Sequence, residues 1–214
     1  MLGQFKLDQS EHYGMSNMER GLQNALLLII SGPSGCGKTT VCKCLVKELQ
    51  NVVHSVSVTT RLPRPGEVDS IDYHFVTVEQ FKSMQHDLVE SVELFGNYYG
   101  TVRSIISDYL KNGVDVVCDL NFDGMLNLKK NFSERVVSIF LLPPSDRSLK
   151  DRLFNRNTDS ADTIRQRMDN AEDEIRNASL YDYSIVNQSL DTTVAEVIRI
   201  LQDHKSKLSS IRPI

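Results

Sequence analysis

The sequence predicts an α/β fold, a parallel sheet with helices on both faces, from three observations. Ala25–Ser31, Val114–Cys118 and Val136–Leu142 are nearly continuous apolar runs, the pattern of strands that are buried on both faces of a sheet. Amphipathic helix patterns separate these runs along the chain. A glycine-rich turn at 32–37 joins the first run to the first helix. Strands that alternate with helices in this way build a doubly wound sheet.

Glycine and proline divide the first half of the chain into short elements. Residues 1–24 are polar and are expected to form an N-terminal extension outside the core, while the domain itself spans 25–208. A helix is expected at 38–50 and a strand at 55–60, which the prolines of the next segment end. The next expected elements are a strand at 73–76, a helix at 78–85, a strand at 88–94, a turn at 95–100 and a helix at 102–111. Gly113 is a natural end for this last helix.

The second half repeats the alternation of strand and helix. After the strand at 136–142, two prolines and Ser145 open a helix, with Ser145 as the expected N-cap. Residues 155–162 are polar and predict a loop. A strand at 183–186 and a closing helix at 193–208 end the domain. Before them comes a long helix, whose buried face is marked by Ile164, Met168, Ala171, Ile175 and Ala178.

Bulk composition narrows the classes of function. The chain of 214 residues is 40% apolar and 24% charged, as expected of one globular soluble domain. Its formal net charge of −4 argues against a nucleic-acid binder that works by neutralising phosphates. The longest apolar run, Ala25–Ile30, is too short to span a bilayer, and no signal-peptide pattern precedes it. No membrane association is therefore expected. The four cysteines show no C-x-x-C spacing, so a cytoplasmic location is expected.

A phosphate-binding loop follows the first strand. The segment 32–39 fits G-x-x-x-x-G-K-[ST] at every fixed position, and it lies between a predicted strand and a predicted helix, as the motif requires. Its glycines let backbone N–H groups point at phosphate oxygens, and the helix N-terminus adds partial positive charge. Lys38 is expected to reach the β- and γ-phosphates of ATP and Thr39 to hold Mg²⁺. The predicted ATP-binding residues here are Gly32, Pro33, Ser34, Gly35, Cys36, Gly37, Lys38, Thr39 and Thr40.

An aspartate at the end of a second buried strand is the expected partner of this loop. Asp119 ends the apolar run that begins at Val114, where it can hold Mg²⁺ directly or through water. A helix cap at the strand end is the alternative role for this carboxylate.

The segment 55–101 carries side chains suited to a second phosphate and a base. Arg61 and Arg64 lie three apart on a proline-stiffened turn, a fork that fits a monophosphate dianion. Glu90 is an unusual neighbour for a phosphate but can accept both the N1–H and the N2 amine of guanine, which adenine lacks. The alternatives are that the two arginines are solvated loop charges, that the tyrosines nearby merely pack, and that Glu90 is an exposed strand residue facing water. Further polar candidates nearby are Ser57, Glu67, Tyr73 and Tyr99.

Several of these motifs together resemble the guanylate kinase family. The resemblance covers about residues 25–205 and is carried, in order, by the loop at 31–39, Ser57–Glu67, Asp72–Phe75 and Gly96–Thr101. It implies an enzyme that transfers the γ-phosphoryl group of ATP to GMP with Mg²⁺. It also implies a P-loop core, a small GMP-binding subdomain at about 55–101 and a mobile lid at about 152–167.

The resemblance also implies roles for individual residues. By similarity, Arg61, Arg64, Tyr73 and Tyr99 hold the GMP phosphate, while Ser57, Glu90 and Thr101 read the guanine. The arginines of the lid and its flank, which close over the ATP phosphates, correspond to Arg152, Arg156 and Arg167. Arg152 and Arg156 could instead be surface charges paired with neighbours such as Asp151 or Asp159. Asn187 corresponds to a position near the adenine.

One position departs from the family pattern. Where the family has a second aspartate two residues after Asp119, this chain has Asn121. An Asn oxygen still accepts a hydrogen bond from the guanine amine, but without charge. GMP binding is therefore expected to persist in weaker form, and acceptance of dGMP is open.

Two rival functions stay open at the level of sequence. One is a related P-loop kinase that acts on a sugar phosphate or another nucleotide. The other is a guanylate-kinase-like module without catalysis that binds a phosphopeptide. The intact phosphate loop argues against the module, and Ser57 and Glu90 favour guanine. Oligomeric state does not follow from the sequence.

Overall fold

The computed structural model describes residues 25–94, 96–145, 147–150 and 161–210. On the helix at 161–176 it describes the side chains of 168 and 170–176 only. The predicted extension at 1–24 and the greater part of the predicted lid, including Arg152 and Arg156, lie outside the described residues.

A five-stranded parallel sheet forms the centre of the domain. The strand order is β2-β7-β1-β8-β9, so the other two apolar runs of the sequence, in β7 and β8, lie on either side of β1. This arrangement confirms the predicted α/β class. The strands are β1 (Leu27–Ser31), β2 (Val52–His54), β7 (Asp115–Asp119), β8 (Val136–Leu142) and β9 (Tyr183–Val186).

Helices cover both faces of this sheet because β1 is apolar on both faces. Leu28 and Ile30 pack on one face against α1 (Lys38–Glu48) and α6 (Leu190–Ser210). Leu27 and Ile29 pack on the other against α3 (Arg103–Lys111) and α4 (Phe122–Phe132). The two-residue alternation of a strand thus divides one apolar run between two cores.

A second sheet of four strands lies in the region predicted to form the small GMP-binding subdomain. Its order is β4-β3-β6-β5, with a small core of its own that contains Val58 and Phe81. The helix α2 (Val78–Ser83) packs there and begins with a reciprocal capping box between Thr77 and Gln80. The limits 55–101 of this subdomain remain a prediction. The strands are β3 (Val58–Thr59), β4 (His74–Phe75), β5 (Leu88–Leu94) and β6 (Asn97–Val102).

Three sequence-based expectations were wrong in detail. The turn expected at 95–100 is largely the strand β6, because pairing with both β3 and β5 outweighs the weak strand propensity of its Asn and Gly. The strand expected at 55–60 is reduced to β3, preceded by the separate strand β2. The helix α4 was not predicted, since its polar and glycine-containing start lacks a clear period.

The remaining helices and strands agree with expectation to within a few residues. The loop predicted at 155–162 lies mostly outside the described residues, and its last two positions belong to a helix. The long helix is α5 (Ala161–Arg176), followed by a 3₁₀ turn at Asn177–Leu180. Ser145 caps the helical residues 147–150, because its Oγ accepts a hydrogen bond from the Ser148 N–H. Among the described residues, no helix has the length and apolar character needed to cross a membrane.

Candidate active site

A cavity of about 330 Å³ opens where the carboxyl ends of β1 and β7 face the second sheet. Ligand sites in open α/β sheets lie at this edge. One group of lining residues belongs to the phosphate loop and its partner strand: Gly32, Ser34, Gly35, Gly37, Lys38, Thr39, Thr40 and Asp119. A second group consists of residues predicted to bind the phosphate acceptor, and this part of the cavity is called the acceptor side below. Its members are Ser57, Arg61, Arg64, Tyr73, Glu90, Tyr99 and Asn121. The structure therefore brings most of the predicted site residues together.

The phosphate loop has a backbone that only glycine fits at its two ends. Gly32 has φ of 141°, and a Cβ there would lie 2.4 Å from the Leu141 carbonyl oxygen. Gly37 has φ of 98° and forms the N-cap of α1 in the left-handed conformation. The Lys38 ammonium bridges the loop, donating to the carbonyls of Gly32 at 2.7 Å and Pro33 at 3.2 Å. The Lys38 ammonium is thus held against the loop that the two glycines shape.

The surroundings of Lys38 keep it charged. Burial by itself would lower the pKa of this lysine, but Cys36, Asp119 and Glu174 hold that pKa above its ordinary value. The ammonium is therefore present across the physiological pH range, as a phosphate-binding cation requires.

Asn187 lies behind the loop rather than on the cavity wall. Its side-chain amide donates to the Cys36 carbonyl at 2.6 Å, and its oxygen accepts from the Thr193 hydroxyl at 2.9 Å. The Asn187 side chain thus fixes the back of the phosphate loop. Its predicted place near the adenine stays a prediction. Cys36 and Pro33 likewise contribute backbone to the loop and do not line the cavity.

Thr39 and Asp119 form the predicted metal position. The Thr39 hydroxyl donates to the Asp119 carboxylate at 2.6 Å, which joins the start of α1 to the end of β7. A hydroxyl and a carboxylate are the hard oxygen ligands that suit Mg²⁺ when phosphates and waters complete its shell. The residues present therefore fit a magnesium ion. The helix cap considered for Asp119 is instead supplied by Asn121.

The loop that carries Arg61 and Arg64, called the arginine loop below, is held in shape by Glu67. This carboxylate accepts two parallel hydrogen bonds from the Arg61 guanidinium, both at 2.9 Å, and a third from the Arg64 N–H at 2.7 Å. Burial would raise the pKa of Glu67, but the Arg61 hydrogen bond and the Arg64 N–H bring it below its usual value. Glu67 does not line the cavity. It positions the two arginines that do.

Two tyrosines stand beside the arginine loop. The rings of Tyr73 and Tyr99 meet edge-on with centroids 6.0 Å apart. The Arg61 guanidinium lies 5.4 Å from the centroid of Tyr73 and 5.8 Å from that of Phe75, a cation–π arrangement. Aromatic packing thus holds Arg61 from one side and the Glu67 ion pair from the other.

Glu90 is a buried carboxylate at the base of the acceptor side. It is 9% exposed, lies opposite Thr101 across β5 and β6, and accepts the Thr101 hydroxyl at 2.9 Å. Burial raises the pKa of Glu90, the Thr101 hydrogen bond opposes this rise, and the charge of Asp123 adds to it. One hydroxyl leaves most of the acceptor capacity of a carboxylate unused. The site therefore presents a buried acceptor to its ligand.

Asn121 borders Glu90 and begins α4. Its side-chain oxygen accepts from the Gly124 N–H at 2.9 Å, the N-cap hydrogen bond of that helix. A Cβ at Gly124 would lie 3.1 Å from the Glu90 Cγ and 3.2 Å from the Asn121 Oδ1. The absence of a side chain at 124 thus leaves room for both polar side chains at the start of α4.

One ion pair joins the acceptor side to the core. The Lys43 ammonium on α1 donates to the Asp72 carboxylate at 2.7 Å, next to Tyr73. Lys43 is largely exposed, so the pair contributes little to stability, but it connects the loop before β4 with the helix that starts at the phosphate loop.

In the described part of the chain, five residues that line the cavity were not predicted from the sequence. Leu120 follows β7, Val92 and Leu94 come from β5, and Asn170 and Glu174 come from α5. The last two lie one turn apart beside the predicted buried stripe of that helix, and this spacing could have revealed them. The side chain of Arg167, like Arg152 and Arg156, lies outside the described part of the chain.

Comparisons with known proteins decide the family. A family model described as guanylate kinase matches residues 24–204. The chain belongs to the guanylate kinase family. A guanylate kinase of Paramagnetospirillum magneticum is 42% identical over 187 residues, with 86% of this chain and 87% of the relative covered. A guanylate kinase of Wolbachia pipientis is 40% identical over 190 residues, covering 88% of this chain and 94% of the relative.

A solved structure agrees with the fold as well as the sequence. The guanylate kinase of Anaplasma phagocytophilum superposes with a TM-score of 0.71 at 32% identity, covering 86% of this chain and 87% of that one. The guanylate kinase assignment therefore rests on the fold and on the sequence of nearly the whole described domain. An enzyme of this family is a kinase and binds nucleotides.

Proposed function

We propose that this guanylate kinase transfers the γ-phosphoryl group of ATP to GMP and releases ADP and GDP. One observation carries the proposal. A single cavity is lined both by the phosphate loop with Lys38 and by an acceptor side that combines Arg61 and Arg64 with the buried carboxylate Glu90. A GTPase or a motor protein needs the phosphate loop of that cavity but has no use for the acceptor side.

The acceptor side supports GMP as the substrate. The Arg61 and Arg64 guanidiniums supply the charge and fork geometry that a monophosphate dianion needs. Glu90 can accept the parallel N1–H and N2–H donors of guanine. An adenine base would leave this buried acceptor without a donor, which is how polar sites reject analogues most strongly.

The chemistry asks mainly for positioning of two polyanions. Lys38 binds donor phosphates, Arg61 and Arg64 bind the acceptor phosphate, and holding the two side by side directs the γ-phosphoryl group to that acceptor. An acceptor phosphate oxygen is already ionised near neutral pH, so no general base is required. The predicted lid arginines Arg152, Arg156 and Arg167 belong to the proposal as further cations for this transfer.

Magnesium completes the proposed donor site. Bound at the Thr39 hydroxyl and the Asp119 carboxylate, Mg²⁺ supplies electrostatic stabilisation of the phosphate charge. This chain would contribute the Thr39 and Asp119 oxygens, which a hydrogen bond of 2.6 Å joins.

The proposal includes small-molecule partners and a location. ATP and GMP, with dGMP as a further acceptor, are the proposed partners. The cysteines at 36, 42, 44 and 118, all in the described part of the chain, form no disulfide, which fits a cytoplasmic location.

A coupled assay of ADP release tests the function. The purified chain is given MgATP with GMP, dGMP, AMP, UMP or no acceptor. We expect rapid release with GMP, slower release with dGMP and only background with the others. Equal rates with AMP, or release that does not depend on any acceptor, would contradict the proposal.

A further inference from the structure

A carboxylate of α5 faces the phosphate-binding part of the cavity without an assigned role. Glu174 lines the same cavity as Lys38, Thr39 and Asp119 and is half-buried. Within the described residues, its carboxylate makes no hydrogen bond and no ion pair. The other two described acidic side chains that line the cavity have hydrogen-bond partners: Asp119 accepts from the Thr39 hydroxyl, and Glu90 accepts from the Thr101 hydroxyl. Glu174 is the acidic group that remains.

The charge of Glu174 acts at the place where donor phosphates bind. Burial raises the pKa of Glu174 and Lys38 lowers it, while Glu174 in turn is one of the groups that raise the pKa of Lys38. The two side chains therefore interact electrostatically although they form no ion pair. Phosphate oxygens held by Lys38 would stand within the same range of this carboxylate and would be repelled by it.

The repulsion depends on whether the nucleotide carries a metal ion. A free nucleoside triphosphate brings its full negative charge into the cavity, whereas bound Mg²⁺ cancels a large part of that charge. Magnesium also keeps several water ligands, and these waters are hydrogen-bond donors that a carboxylate accepts. A fixed carboxylate thus opposes the free nucleotide and tolerates the metal complex.

We propose that Glu174 makes the donor site select the magnesium complex of the nucleoside triphosphate over the free nucleotide. The inference rests on the proposed function, since it needs ATP at the phosphate loop. It assigns Glu174 a role in specificity, separate from the transfer of the phosphoryl group. Selection at binding keeps the site from being occupied by a nucleotide that lacks the ion required for transfer.

Equilibrium binding measures this selection without catalysis. Dissociation constants for ATP are determined by calorimetry, without GMP, in excess Mg²⁺ and in excess EDTA. The ratio of the two constants defines the selectivity. For Glu174→Gln we expect binding of free ATP to tighten about tenfold, binding of the magnesium complex to stay within twofold or weaken, and the selectivity to fall by about tenfold or more.

A neighbouring glutamate provides the matched control. Glu172 lies on the same helix but is exposed and does not line the cavity. Glu172→Gln makes the same change in net charge and should leave the selectivity within twofold of the wild type. If Glu172→Gln lowers the selectivity as much as Glu174→Gln does, the effect is one of overall charge and the inference is wrong.

Two further variants keep the test decisive. Glu174→Asp retains the charge and should retain most of the selectivity. Glu174→Ala removes the charge with a good helix former and replaces Glu174→Gln if that variant does not fold. An unchanged selectivity in a folded, charge-free variant overturns the inference while leaving the proposed function intact. A wild-type chain that binds ATP under neither condition overturns the proposed function instead.

Discussion

The two ends of β7 carry the same residue type with opposite roles. Asp115 at the amino end is 2% exposed, accepts the Leu26 N–H at 2.9 Å and pairs with the Lys205 ammonium of α6. Asp119 at the carboxyl end lines the cavity and accepts the Thr39 hydroxyl. Both are aspartates of one strand, so the residue type does not decide the role.

The difference follows from the direction of the sheet. All neighbouring strands of the central sheet are parallel, so their carboxyl ends meet at one edge, where the phosphate loop and α4 begin. Helix N-termini at this edge attract anions. At the amino edge, Asp115 instead binds the Leu26 N–H and the Lys205 ammonium of α6. We therefore expect substitutions at the carboxyl edge to change activity, and substitutions at the amino edge to change stability.

The largest effect is expected from Lys38→Ala at the carboxyl edge. Loss of a cation aimed at transferring phosphate should lower kcat by roughly 10²- to 10³-fold. The free energy of unfolding should change by less than about 1 kcal/mol, since the lysine bonds only carbonyls of its own loop. Coupled assays and urea unfolding measure the two quantities. A variant that keeps more than half of the wild-type activity is incompatible with the assigned role.

The reverse result is expected from Asp115→Ala at the amino edge. The Leu26 N–H loses its buried acceptor and Lys205 its partner, so the free energy of unfolding should fall by about 2–4 kcal/mol. The kcat of the folded enzyme should stay within twofold. Asp108→Ala, at an exposed aspartate of α3, is the control and should change stability by less than about 0.5 kcal/mol. A stability loss no larger than that of the control would remove the contrast between the two edges.

The pH dependence of GMP binding sharpens the comparison at Glu90. Because burial raises the pKa of Glu90, protonation of this carboxyl stabilises the folded state. That stabilisation is present below the unfolded pKa and is lost as pH rises through the folded pKa. Guanine binding depends on pH in the opposite direction, because it needs the ionised Glu90 carboxylate as its hydrogen-bond acceptor. The KM for GMP should therefore rise as pH falls through the raised pKa, at higher pH than for an ordinary glutamate.

Two variants check the assignment of this titration to Glu90. Glu90→Gln should raise the KM for GMP and remove that part of its pH dependence. Thr101→Val removes the hydrogen bond that opposes the rise in pKa, so the increase in KM should begin at higher pH than in the wild type. An unaltered pH profile of KM in both variants would assign the titration to another group.

The smallest effect is expected from Asn121→Asp. An aspartate at this position can keep the N-cap hydrogen bond to the Gly124 N–H and adds charge to an acceptor beside the base. The KM for GMP should fall by about threefold with the preference for GMP over AMP unchanged. Asn127→Asp, at an exposed position of the same helix, should leave KM unchanged. A higher KM in Asn121→Asp would argue against a contact between this side chain and the guanine.

The sequence by itself determined the local features of this protein. The phosphate loop at 32–39, the buried strands β1 and β8, and Lys38 with Thr39 follow from glycine spacing and apolar runs, because these signals depend on neighbours along the chain. The family followed from several such motifs in order, and the comparisons confirmed it.

Only the tertiary structure decided the features that depend on distant contacts. Residues 97–102 became a strand through pairing with β3 and β5. The hydrogen bonds between Glu67 and Arg61 and between Asn187 and the phosphate loop also appear only in the folded chain. Glu174 reached the cavity through the packing of α5. Each outcome joins residues far apart in sequence or sets the direction of one side chain, and local propensity carries no information on either.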